Sequence, residues 1–174
     1  MDELNVNDKP VNRQKFKLVT KPNASYEEYG WTEEFYNYML YIEDFEPDHE
    51  WMNDPEILNN LGIIYNDGIG VGRNMQKAIM YYEKAIALDY DLARSNLADI
   101  YRKGVGGVPK NLEKAFKLYQ DCHIPYAYYR VGEAYEFGWG VEQNIAEAKI
   151  NYIVAYKEGH HLALKKLKTF DFLK

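Results

Sequence analysis

Apolar and polar residues follow a helical period along most of this chain, and the helical runs come in pairs joined by glycine-bearing turns. One such pair, residues 58–93, returns twice more with its landmarks in the same order. The copies read Leu61, Gly62, Tyr65, Gly68, Gly70, Val71, Asn74, Ala78, Tyr82, Ala85 and Ala93; then Leu97, Ala98, Tyr101, Gly104, Gly106, Val108, Asn111, Ala115, Tyr119, Cys122 and Ala127; then Val131, Gly132, Tyr135, Gly138, Gly140, Val141, Asn144, Ala148, Tyr152, Ala155 and Ala163. A unit that cannot bury its own apolar face must stack on copies of itself, so the pattern predicts a solenoid of helix pairs.

Each landmark has a mechanical reason. Leu61 and Tyr65 share one face of the first helix of a pair, and the small residue between them lets a second helix approach closely. Gly68, Gly104 and Gly138 mark the end of that helix, because glycine enters the left-handed conformation cheaply. Val71, Val108 and Val141 are expected to plug the turn. Asn74, Asn111 and Asn144 stand where an N-cap of the second helix belongs, and Glu147 three residues after Asn144 suggests a capping box. Ala78, Ala115 and Ala148 mark sites where packed helices leave no room for a longer side chain.

Residues 63–71 (IIYNDGIGV), 132–141 (GEAYEFGWGV) and 78–85 (AIMYYEKA) closely resemble the turn and second helix of the Sel-one-like repeat family, a relative of the tetratricopeptide repeat. The resemblance runs over roughly residues 56–163 and implies an all-α, right-handed α-solenoid of helix-turn-helix repeats. The second copy departs from the pattern with an extra turn residue at Gly106-Gly107-Val108-Pro109 and a shortened junction around Cys122-His123-Ile124-Pro125. The family's glycine before the last alanine survives only as Gly159, with Asp89 and His123 nearby in the other copies.

Outside the repeats, residues 32–45 read as one helix with Thr32 as N-cap and Phe35, Tyr38, Met39 and Ile42 on a common face, expected to cap the first repeat. Residues 46–54 read as a loop, with Pro55 opening the next helix. Residues 161–174 read as an amphipathic C-terminal cap carrying Leu162, Leu164, Leu167 and Phe170, with Lys165, Lys166 and Lys168 expected on its wet side. The expected organisation is an extended or mobile arm at 1–25, in which residues 15–19 alternate like a short strand. An acidic aromatic cap follows at 26–54, repeats at 55–163 (about 55–90, 91–125 and 126–160), and the C-terminal cap at 161–174.

Charge is distributed unevenly. The net charge is −6, yet residues 22–72 hold twelve Asp and Glu and no Lys or Arg. Interleaved with these acids are large aromatics, including Tyr26, Tyr36, Tyr41, Phe45 and two tryptophans, residues that anchor interfaces when exposed and caps when buried. Such a segment repels phosphate, so no nucleic-acid partner is expected. The chain has a single cysteine, no apolar run near the ~20 residues of a membrane span, and no leader pattern at Met1-Asp2-Glu3, so no membrane association, a cytoplasmic location and, by default, a monomer are expected. Asn23-Ala24-Ser25 is formally a glycosylation sequon, which without a leader reads as loop.

No catalytic or metal-binding constellation emerges, so neither enzyme activity nor a cofactor is expected. Cys122 and His123 are adjacent on the chain, and Cys122 takes the small-residue place of Ala85 and Ala155, which suits a packing cysteine better than a nucleophile. His160-His161 has no second ligand pair, His49-Glu50 lacks the zinc-protease histidine, and the glycine turns lack both a preceding strand and a Gly-Lys-Ser/Thr.

What remains is recognition of a protein partner. The family resemblance implies that the first helix of each pair lines a concave face, with Asn59, Ile63 and Asn66, then Ser95, Asp99 and Arg102, then Tyr129, Glu133 and Glu136 pointing into it. The acidic end supplies a second candidate surface, with Glu43, Asp44, Glu46 and Asp48 steering a basic partner and Trp31 and Trp51 anchoring it. The most specific expectation is a bacterial immunity protein that occludes a basic toxin. The alternatives are an adaptor in signalling or protein quality control and, in a different class, a hydrolase acting on cell-wall or antibiotic substrates. The resemblance raises this last reading only through secreted, disulfide-linked relatives, which a chain with one cysteine does not match.

Overall fold

The computed structural model describes residues 26–45 and 48–171, so the expected arm, its strand-like stretch and the sequon lie outside the described residues. Among the described residues all regular structure is helical. The chain divides into two compact units, Met1–Ala85 and Ile86–Lys174.

In the first unit a short 3-10 helix, Tyr26–Tyr29, precedes α1 (Glu33–Phe45). Thr32 begins α1 as expected, its Oγ1 accepting from the Phe35 N–H at 3.2 Å. The stretch read as loop contains a 3-10 turn, Glu50–Asn53, because the His49 Nδ1 accepts from the Trp51 N–H at 3.2 Å and nucleates it. Helix α2 (Pro55–Asp67) then starts at a proline, with the Asp54 carboxylate accepting from the N–H groups of Glu56 and Ile57. Proline costs nothing there, since the first helical N–H has no intrahelical partner. Helix α3 (Met75–Ala87) completes the first pair.

Tyr36, Met39 and Ile42 of α1 are fully buried, and the Tyr36 hydroxyl donates to the Ile69 carbonyl at 2.6 Å. Helix α1 is thereby tied to the turn of the first repeat. Ile69, between the two turn glycines, is the residue that fills this turn, while Val71, expected to do so, is partly exposed. In the third repeat the equivalent Trp139 and Val141 both pack against the core.

The second unit comprises α4 (Asp91–Lys103), α5 (Leu112–Gln120), α6 (Pro125–Phe137), α7 (Ile145–Lys157) and α8 (His161–Asp171). One core gathers Ala98, Phe116, Tyr119, Cys122 and Val131, and a second gathers Tyr129, Tyr152, Ala163 and Phe170. In α8, Phe170 is buried but Leu162 is 62% exposed, so the apolar stripe expected along this helix is only partly covered. Lys166, expected on its wet side, instead donates to Glu136 at 2.8 Å.

The glycine and asparagine landmarks have the roles their spacing implies. Gly68 and Gly138 are left-handed caps, φ 72° and 68°, whose N–H groups reach the carbonyls of Ile64 and Ala134. At Gly62 and Gly132 close approach is the cause, since an added Cβ would lie 2.5 Å from the ring of Tyr82 and 2.7 Å from that of Tyr152. The side chains of Asn74, Asn111 and Asn144 accept from the backbone of the second helix, at 3.0 Å for Lys77 and 2.8 Å for Lys114. Their own N–H groups reach back to the carbonyls of Tyr65, Tyr101 and Tyr135 at 2.8–2.9 Å. Each asparagine thus closes both ends of the turn. It also explains why Glu147 makes no reciprocal capping box, because the Asn144 N–H is already used by Tyr135.

Candidate protein-binding surfaces

Two surfaces were expected, one on the first helix of each repeat and one at the acidic end. On the first, the residues have very different surroundings. Asn59 and Ser95 are buried, at 4% and 6% exposure, and Ser95 Oγ donates to the Leu92 carbonyl. Both therefore belong to the interior and not to an open face. Ile63 is half-buried, and the Asn66 amide donates to Asp67 at 2.6 Å.

In the second repeat Asp99 and Arg102 are brought together at 3.0 Å, and Lys103, Tyr119 and Tyr126 also donate to the Asp99 carboxylate. Burial by itself would raise the Asp99 carboxyl; the Tyr119 and Lys103 bonds and the Arg102 charge outweigh it and bring it to about 2. The third repeat repeats the device. Tyr152 and Lys166 donate to Glu136, Arg130 pairs with Glu133, and Tyr129, 8% exposed, stacks on His160 with ring centroids 4.4 Å apart. Acids on the first helix thus satisfy the tyrosine hydroxyl that the second helix buries, which a motif reading sees only as a polar lining.

At the acidic end, Glu43 accepts from Lys77 at 2.8 Å, from Tyr81 at 2.7 Å and from Tyr65, with its side chain 5% exposed. A carboxylate so enclosed steers nothing. Glu46 lies outside the described residues. Asp44 and Asp48 are exposed, as are Glu50, Asp54 and Glu56.

The expected anchors are half-buried: Trp31 stacks on Tyr29 at 5.0 Å, and Trp51 meets the edge of Tyr38 at 5.0 Å. Tyr26 stacks on the buried Tyr36, so most of the aromatics serve the cap. Tyr29 is at the edge of exposure, and Phe45, at the end of α1 and stacked on Tyr41, is 68% exposed. Sequence reasoning left it out of the site. Its place beyond the Phe35, Tyr38, Met39, Ile42 stripe was the available signal.

No cluster of three or more His, Cys, Asp or Glu able to hold a metal occurs among the described residues. Cys122 is fully buried, its Sγ donates to the Asp91 carbonyl at 3.2 Å, and burial pushes its thiol up to about 11. The His123 N–H donates to the Asp91 carboxylate at 3.0 Å, and the ring Nδ1 lies 3.8 Å from the same carboxylate.

Three stretches, residues 55–90, 91–120 and 125–160, match the Sel1 repeat. The chain belongs to the Sel1 repeat family. Sel1 repeats are a type of protein-interaction module. Among curated proteins, a Schizosaccharomyces pombe protein named as a candidate ERAD-associated E3 ubiquitin-protein ligase component is 31% identical over 103 residues, 57% of this chain and 14% of its own length. The chain therefore spans only a small part of that relative.

Among solved structures, a Sel1 repeat protein from Oxalobacter formigenes superposes with a TM-score of 0.68 at 28% identity, covering 78% of this chain and 54% of the other. A protective antigen of uropathogenic Escherichia coli with an SLR fold gives 0.64 at 21% identity, over 68% of this chain and 26% of the other. Helicobacter pylori cysteine rich protein B gives 0.57 at 23%, over 75% and 96%. The fold is an all-helical Sel1-like solenoid. No described helix is long and apolar enough to cross a membrane.

Proposed function

We propose that this Sel1 repeat protein is a non-catalytic binding module whose acidic end takes a basic protein partner in the cytoplasm, and that its most specific role is that of a bacterial immunity protein. The observation that carries the reading is a run of exposed acids along the chain, Asp44, Asp48, Glu50, Asp54 and Glu56, with the exposed Phe45 next in sequence to the first of them. No Lys or Arg interrupts this segment, and the enclosed Glu43 is already neutralised by Lys77. Exposed like charge raises encounter rates with a partner of opposite sign, and a neighbouring aromatic supplies contact area that holds it. Asp99, Glu133 and Glu136 on the repeats' first helices are less suited, since internal partners hold them.

The test is a kinetic series against the partner that co-purifies, at low and high salt. Reversing Asp44, Asp48 and Glu50 to Lys slows association about tenfold at low salt and much less at high salt, while Phe45→Ala speeds dissociation. Reversal of Lys165 and Lys168 is the control. Unchanged kinetics in the acidic variants, together with loss of binding on changing Ile63, Asn66 or Tyr129, overturns the reading. A second reading, an adaptor in protein quality control, is favoured by the Schizosaccharomyces pombe relative. A toxin gene beside this one supports immunity; isolation among housekeeping genes supports the adaptor.

A further inference from the structure

Aligned on the capping asparagines, the sixth and ninth positions of the second helix are Met80 and Glu83 in α3, Lys117 and Gln120 in α5, but Ile150 and Ile153 in α7. Ile150 is 53% and Ile153 42% exposed, and Tyr156 on the same side is 43% exposed. The helix is not rotated out of register, because Ala148, Tyr152 and Ala155 are fully buried on its inner side as in the other copies. Helix α7 is therefore apolar on two opposite faces, and one of them has no cover among the described residues.

We propose that this outer face pairs with the same face of a second copy of the chain, antiparallel and about a twofold axis. The charges on α7 select that occupant. Glu147 near its start and Lys157 at its end lie five residues either side of Tyr152. Antiparallel pairing centred there brings each Glu147 opposite the other copy's Lys157 while the isoleucines cross in the middle; parallel pairing would set Glu147 against Glu147. A twofold contact must be self-complementary in this way. A face of thirteen helical residues, about 20 Å long, is short for a stable interface, so the dimer is weak, with a dissociation constant on the order of micromolar.

Sedimentation of the full chain from ~1 to ~200 µM is expected to pass from monomer to dimer. The Ile150→Asp, Ile153→Asp double variant stays monomeric with an unchanged helical spectrum and unfolding midpoint. Glu147→Lys weakens the dimer about tenfold, and adding Lys157→Glu in the same chain restores it. A wild type that is monomeric throughout, a dimer that survives the aspartates, or a charge reversal that its partner reversal does not rescue overturns the proposal. So does a monomeric chain that binds vesicles of phosphatidylcholine and phosphatidylglycerol through these isoleucines.

Discussion

Glu43 and Asp44 are adjacent acids of α1, yet three side chains close over the first while water surrounds the second. Burial first, and then the bond to Glu43, hold the Tyr81 phenol well above its usual range, so the hydroxyl donates at every ordinary pH. Replacing Glu43 by Lys leaves Lys77 facing a like charge and two buried hydroxyls without an acceptor. The expected loss is more than about 2 kcal/mol by chemical denaturation, whereas Asp44→Lys shifts stability by about 0.5 kcal/mol or less. Asp99 gives a pH test. Its folded value, about 2, lies below the ordinary 3.8, so its stabilisation is complete above about pH 4 and is lost as pH falls toward 2. Acid titration of Asp99→Asn should lack that component, on the order of 2 kcal/mol.

The turns decide whether two helices become a pair. Each requires a left-handed cap at its start, an asparagine at its end and a glycine or alanine under the ring of the second helix. Gly138→Val places a β-branched residue at φ 68° and is expected to cost more than ~1 kcal/mol. Gly62→Ala is expected to cost about 1–3 kcal/mol despite good helix propensity, because Tyr82 must move to admit the methyl group. Thermal unfolding of the two variants checks both. These elements were legible in the sequence, since local backbone requirements leave residue-type signatures at constant spacing. The 3-10 turn at Glu50–Asn53 was not, because a single histidine ring sets it and no period announces it. Asp89, which the sequence sets near the place of the family's glycine, adopts the φ of 61° that a glycine would take there and pairs with Arg94.

In a repeat protein stability is a sum of unit and neighbour terms, so damage stays near its source. Gly132→Val is therefore expected to raise amide exchange in α6, α7 and α8 well before it does so in α1 and α2, as hydrogen-exchange mass spectrometry would read. Uniformly raised exchange would mean that the two compact units open as one. The concentration of acid in residues 22–72 also belongs to this scale, since clustered charge of one sign shapes the field around a protein and not its fold.

By itself the sequence determined the family, the helix pairs, their caps and the one-sided charge, because each is written in local spacing or in composition. Only the tertiary structure decided which polar residues were spent inside. Asp99, Glu133 and Glu136 look like a binding lining on a helical wheel and Glu43 like a steering acid, but each has a basic or phenolic partner on a neighbouring turn or helix. Spacing along one helix gives Arg130 for Glu133, three residues away, but not the phenolic partner that Asp99, Glu136 and Glu43 each find on another helix. It arises when a buried tyrosine hydroxyl needs an acceptor, and the acid that answers is removed from the surface it was expected to serve.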